Sequence, residues 1–265
     1  MKKNILYTLF LSLCIALGAC SDEVESPFAE GMGELRLTPQ MSTNTSIPVI
    51  TKGPDFSSAV VEDLRIVVTN SADEDVVDQT YTELLNDTES TSPALPIALP
   101  LGTYTVKVCT NVSTSAGVVD VPYFEEIQEA VIEEKKVTNL TMKCTFECIG
   151  VELALSEQFK AKLEAEPNNY AYEVTVSNGE AVWTFDKESM EAGYFLAACD
   201  ELEVRVKVRL GRSNDWYPER VYRITNKGNA PQLGEYYIIT LDAGESPEEN
   251  TETTSLRSTV LTEKN

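Results

Sequence analysis

The chain has 265 residues, of which 43 are acidic, 21 basic and none histidine, for a formal net charge of −22 at neutral pH. A field of that sign repels nucleic acid and anionic lipid head groups, and the missing histidine removes Ser-His-Asp and Cys-His nucleophilic schemes together with histidine-based metal sites. The length exceeds one average domain and is enough for two small ones, each with a core of its own.

Lys2 and Lys3 precede an apolar run from Ile5 to Leu17, too short to span a bilayer as a helix but of the length of a signal-peptide core. Leu17-Gly18-Ala19-Cys20 follows, with two small residues where a signal peptidase needs them. The arrangement resembles the lipobox of bacterial lipoproteins, which implies that residues 1–19 are removed and that Cys20 becomes the lipidated amino terminus. Acyl chains then supply the membrane contact that the charge forbids, two or more being needed to hold stably. Ser21, Asp22, Glu23 and Glu25 lack any apolar period, so 20–30 reads as a solvated acidic tether. That tether is similar to the serine-plus-acidic export signal of Bacteroidetes lipoproteins, which implies display on the outer face of the cell outer membrane.

Beyond the tether, helical periodicity is nearly absent and alternation recurs. Strands are expected over Glu34 to Leu37, Leu64 to Thr69, Thr103 to Val108, Tyr170 to Val176, Leu202 to Leu210, Arg220 to Ile224 and Tyr236 to Leu241, with turn signals at Leu101-Gly102, Asn178-Gly179 and Lys227-Gly228. The clearest is the fifth: Leu202, Val204, Val206, Val208 and Leu210 share one face, and Glu203, Arg205, Lys207 and Arg209 the other. Asp73, Glu74, Asp75 and Asp78 sit between two strands as a solvated acidic turn; the loop lacks the glycine and distal glutamate of a calcium-binding EF-hand, and no metal or cofactor is expected.

Between Val137 and Ser156 the apolar parity changes. Leu140, Met142, Cys144, Phe146 and Cys148 are even; Ile149, Val151, Leu153 and Leu155 are odd. A strand of period two needs a bulge, a twist or a change of core to do this, so the domain junction is placed at Cys148 to Gly150, against the alternative of one bulged strand in a single large sandwich. Ser156 N-caps a helix through Leu163, the one helix expected. Trp183, between Ala181 and Phe185, reads as core, and the stretch after Asp242 turns polar enough to read as a disordered tail. The expected fold is all-β: two antiparallel β-sandwich domains, immunoglobulin-like or transthyretin-like, over 31–148 and 149–243, one short helix in the second, and a tail over 244–265.

Four cysteines remain in the exported chain, Cys109, Cys144, Cys148 and Cys199, which allow three pairings and dictate none. Cys144 and Cys148 have no second pair to complete a zinc site.

Leu99-Pro100-Leu101-Gly102-Thr103-Tyr104-Thr105-Val106, Val121-Pro122-Tyr123-Phe124 and Leu140-Thr141-Met142-Lys143-Cys144 running into Val151 and Leu153, with Gly31-x-Gly33-x-Leu35 at the start, resemble a Bacteroidetes lipoprotein family known only as a domain of unknown function. The likeness covers Gly31 to about Asp242 and extends more loosely to fimbrillin-like surface proteins. It implies a cell-envelope lipoprotein with no catalytic residues to carry over. Fimbrial subunits of that kind are matured by cleavage after a basic residue; here the first arginine after Cys20 is Arg36, inside an expected strand, which favours a retained anchor.

The reading is a non-catalytic surface lipoprotein acting in adhesion or in a fimbria-like assembly, with a surface protein or a glycan as partner. Trp216 and Tyr217, before Pro218, are the candidate ligand-binding residues: flat aromatics at a loop tip stack on sugars or anchor partners, the alternative being a tryptophan that caps the core. A glycan-binding accessory role in polysaccharide capture comes second. A hydrolase built on a carboxylate pair comes third.

Overall fold

The computed structural model describes residues 29–41, 61–86, 95–209, 215–226, 228–245 and 252–262. The expected signal segment, 1–19, and the expected lipidation site Cys20 lie outside them.

The protein is all-β. The first half contributes β1 (Met32–Met41), β2 (Leu64–Thr69), β3 (Asp75–Thr80), β4 (Ile97–Pro100), β5 (Gly102–Thr110), β6 (Val118–Val119), β7 (Phe124–Ile132) and β8 (Val137–Phe146). The second contributes β9 (Ile149–Leu155), β10 (Ala171–Ser177), β11 (Val182–Phe185), β12 (Gly193–Phe195), β13 (Leu202–Arg209), β14 (Arg220–Ile224), β15 (Glu235–Glu245) and β16 (Glu252–Thr262). Every strand read from alternation is present, β2 and β14 with the expected ends.

Among the described residues two α-helices interrupt them. The six-residue α1 (Tyr81–Asn86), which adds to the single helix expected, is closed at its start by Glu83, whose Oε2 accepts from the Thr80 N–H at 2.7 Å and the Thr80 hydroxyl at 2.8 Å. The expected helix is α2 (Glu157–Ala165), with Ser156 Oγ accepting from the Phe159 N–H at 3.2 Å and Phe159 fully buried beneath it.

Strands β3-β2-β5-β7-β8-β1-β4 form one sheet. Its β7 and β8 pair only at Phe124–Phe146 and Glu125–Thr145, and the strands on both sides of that corner share a core of Leu35, Ile66, Val68, Val106, Met142 and Phe146 among others. Arg36 lies inside β1, which is hydrogen-bonded on one side to β8 and on the other to β4. A four-stranded sheet, β11-β10-β13-β14, and a five-stranded one, β16-β15-β9-β12-β6, complete the fold. Most pairs are antiparallel as expected; β1 with β8 and β9 with β15 run parallel.

The parity change falls where the chain passes between cores. Cys144, Phe146 and Cys148 pack in the first, and Ile149, Val151 and Leu153 in the second. The five-stranded sheet serves both: Tyr194, Tyr236 and Ile238 face the first core, while Phe195, Tyr237, Ile239 and Leu241 face the second. Gly150 permits this close packing, because a Cβ there would stand 2.2 Å from Cδ2 of the buried Tyr236 ring. In addition β6, from the first half, pairs with β12 of the second.

The stretch from Gly244 corrects the expectation of a disordered tail. β15 continues to Glu245 and β16 returns antiparallel along its whole length, from Glu245↔Glu252 to Glu235↔Thr262. An edge strand needs one apolar face at most, so a polar composition rich in Thr and Ser does not exclude it.

Candidate binding site

The site is built at the end of the four-stranded sheet. The apolar face of β13 (Leu202, Val204, Val206 and Val208) is buried in the second core, and its outer face is laced to its neighbours by ion pairs, Lys207 to Glu173 at 2.8 Å and Arg205 to Glu219 at 3.0 Å. Where the chain returns toward β14, the Tyr217 N–H donates to the Val208 carbonyl at 2.9 Å, which fixes Trp216 and Tyr217 against the end of β13. Both stay in solvent: Trp216 is 47% exposed, Tyr217 41%, and neither belongs to a core cluster. The structure brings these two sequence-read residues together with a third group, Arg209, whose guanidinium carbon lies 5.9 Å from the centre of the Trp216 ring. Arg209 is only the last polar position of an alternating strand in the sequence, so nothing there marks it.

The other singled-out residues have structural partners. Trp183 is half-buried rather than enclosed: its ring lies over Gly193, where a Cβ would meet Cγ at 2.4 Å, and its Nε1–H donates to the Glu191 carbonyl at 3.1 Å. Of the acidic cluster expected between two strands, Asp73 and Glu74 lie in the turn, where Glu74 accepts from Asn70 Nδ2 at 3.0 Å; Asp75 and Asp78 belong to β3 instead, Asp75 accepting from the Thr69 hydroxyl at 2.8 Å and Asp78 receiving two hydrogen bonds of 2.6 Å from Arg65. The Arg65 hydrogen bond holds the Asp78 carboxyl below its ordinary range. The four described cysteines are free thiols. Burial pushes Cys144 up to about 12 and Cys199 to about 11, and raises Cys109 and Cys148 as well, so all four stay protonated and unreactive at neutral pH. A groove lined by Ser177, Asn178, Gly179, Asp200, Glu201 and Glu203 is acidic, and its amide side chain is spent: Asn178 Oδ1 accepts from the N–H groups of Glu180 and Ala181, and Nδ2 donates to Ala197.

With the geometry in hand, the family model described as a domain of unknown function (DUF4493) matches residues 31–264. The chain belongs to that family. The resemblance read from Gly31 onward is therefore membership, and it runs through β16 as well. No curated protein matches the chain. Among solved structures it is similar to a candidate cell adhesion protein from Bacteroides uniformis, at 11% identity and a TM-score of 0.45, over 89% of this chain and 100% of that one. It is also similar to candidate polysaccharide binding proteins (DUF1812) from Bacteroides thetaiotaomicron, at 10% identity and 0.45, over 80% and 92%. The tip fimbrial protein Mfa3 from Porphyromonas gingivalis gives 8% and 0.37, over 76% and 94%. At these scores none of the three decides a function.

Proposed function

We propose that this member of the family is a non-catalytic, lipid-anchored protein of the outer-membrane surface, acting in adhesion or in a surface assembly, and that Trp216 and Tyr217 form its contact with the partner. The observation that carries the reading is the exposed aromatic pair, pinned to the rigid end of β13 and outside both cores. Large aromatics cost about 25 cal/mol for each Å² of apolar surface left in water, so a fixed exposed pair is a ready anchor for a partner that covers it. Cys20 with its acyl chains supplies the membrane attachment; no helix among the described residues is long and apolar enough to cross a bilayer.

A glycan partner is the second reading, favoured by one feature: the Trp216 indole keeps about half of its flat apolar surface in water, where a pyranose can stack. The test is attachment of cells displaying the wild type and the Trp216→Ala/Tyr217→Ala variant to host-cell, bacterial and polysaccharide surfaces. Attachment that depends on the pair is the expected result. Attachment by the variant equal to that of the wild type refutes the site.

A further inference from the structure

Two cations meet at this end of the sheet, and among the described residues no carboxylate forms an ion pair with either. α2 closes in a turn in which the N–H groups of Asn169 and Tyr170 both donate to the Glu166 carbonyl, at 2.9 and 3.3 Å, so the next two carbonyls point outward. Lys187 Nζ donates to the Pro167 carbonyl at 2.5 Å, and Arg209 Nη2 to the Asn168 carbonyl at 2.9 Å. Lys187 is held in place by Asp186, whose Oδ1 accepts from the N–H groups of Glu188 and Ser189 at 2.8 Å each, which turns the β11–β12 loop at that point.

Adjacent carbonyls thus hold an ammonium and a guanidinium side by side. Among the described residues neither cation has an ion pair, although Arg65, Lys107, Arg205, Lys207 and Arg223 all do. Two backbone carbonyls of the turn beyond α2 offer only partial negative charge, against two full positive ones. Burial and the neighbouring Arg209 accordingly push the Lys187 ammonium below its ordinary range. Arg209 is also under-used as a donor, for its buried Nε has no hydrogen-bond partner. The same guanidinium flanks the exposed Trp216 ring.

We propose that Trp216, Arg209 and Lys187 form a site for an acidic sugar, the pyranose ring of a hexuronate stacking on the indole and its carboxylate meeting the guanidinium and the ammonium. This deepens the glycan reading above and rests on it. A pair of cations matches a carboxylate with charge-assisted hydrogen bonds, while the open indole matches a sugar face rather than an extended acidic peptide. The chain's net charge of −22 opposes a long polyanion at a distance, but at physiological salt the field is screened beyond about 8 Å, so the local pair decides for a short oligomer.

The test is calorimetric titration of the protein with three probes: trigalacturonate, its neutral counterpart α-1,4-galactotriose, and triglutamate. Trigalacturonate is expected to bind about tenfold or more tighter than galactotriose, as one charged contact implies. Lys187→Gln should weaken trigalacturonate binding about tenfold and leave galactotriose unchanged; Arg209→Gln, which also removes the cation over the Trp216 ring, should weaken trigalacturonate more than galactotriose, whereas Trp216→Ala weakens both. Circular dichroism melts of each variant establish that it is folded. Equal affinity for the two sugars, or an unaffected Lys187→Gln, overturns the acidic-sugar assignment and leaves the glycan reading standing if Trp216→Ala still weakens binding. Triglutamate bound as tightly as trigalacturonate, or no binding of either sugar, overturns both.

Discussion

Trp216→Ala separates an exposed recognition residue from a core cap by its effect on stability. Truncating a fully buried large aromatic costs about 3–5 kcal/mol, transfer and cavity terms together. Trp216 keeps 47% of its surface in water, so roughly half of the transfer term is at stake, and no enclosed cavity forms because solvent fills the space. Its cation–π contact with Arg209 adds about 0.5–1 kcal/mol at an exposed site. The expected loss is therefore about 1–2 kcal/mol, a fall in Tm of roughly 2–8 °C for a chain of this size. Phe159→Ala is the internal control: its ring is fully buried, 5.9 Å from that of Tyr172, and the loss should reach about 3–5 kcal/mol. Urea denaturation of both variants beside the wild type measures the difference. A Trp216→Ala loss as large as that of Phe159→Ala would refute the placement of the tryptophan outside the core.

Two other consequences concern the fold. Gly150→Ala puts a methyl group against the Tyr236 ring, which is buried and held by its hydroxyl donating to Glu152 at 3.0 Å; overpacking should lower stability by about 1–3 kcal/mol, and an unchanged melt would contradict the packing of β9 on β15. Asp78→Asn removes the Arg65 pair, which is more than a third exposed at both ends and so is worth under about 1 kcal/mol at pH 7. The folded Asp78 carboxyl titrates below its unfolded value of about 3.9, so this stability is fully present above that pH and is lost as pH falls through the folded value. Denaturation midpoints of wild type and variant should draw together as pH falls below about 3.9, and a gap that does not narrow with acid would contradict the pairing.

The sheets were legible because one buried face imposes a period of two: β10 and β13 show it residue by residue, and the parity change at Cys148 marks the step from one core to the other. Three things were not legible. β16 is polar and pairs on one side only, so composition reads it as tail. The six-residue α1 is shorter than two helical turns and leaves no period to detect. In the site, Trp216 and Tyr217 stand out as aromatics before a proline in a polar stretch, but Arg209 and Lys187 are ordinary surface cations in sequence. The turn at Pro167 and Asn168 brings them together, and that turn has no signature in the spacing of the two cations along the chain.

Lipid anchoring at Cys20 is tested most directly by membrane fractionation of cells producing wild-type and Cys20→Ser protein, with mass spectrometry of the amino-terminal peptide. The wild type should sediment with the outer membrane and carry a lipid mass on Cys20, while the serine variant moves to the soluble fraction. Unchanged membrane partition of the variant, together with a wild-type peptide that bears no lipid, would contradict a lipid-anchored surface protein.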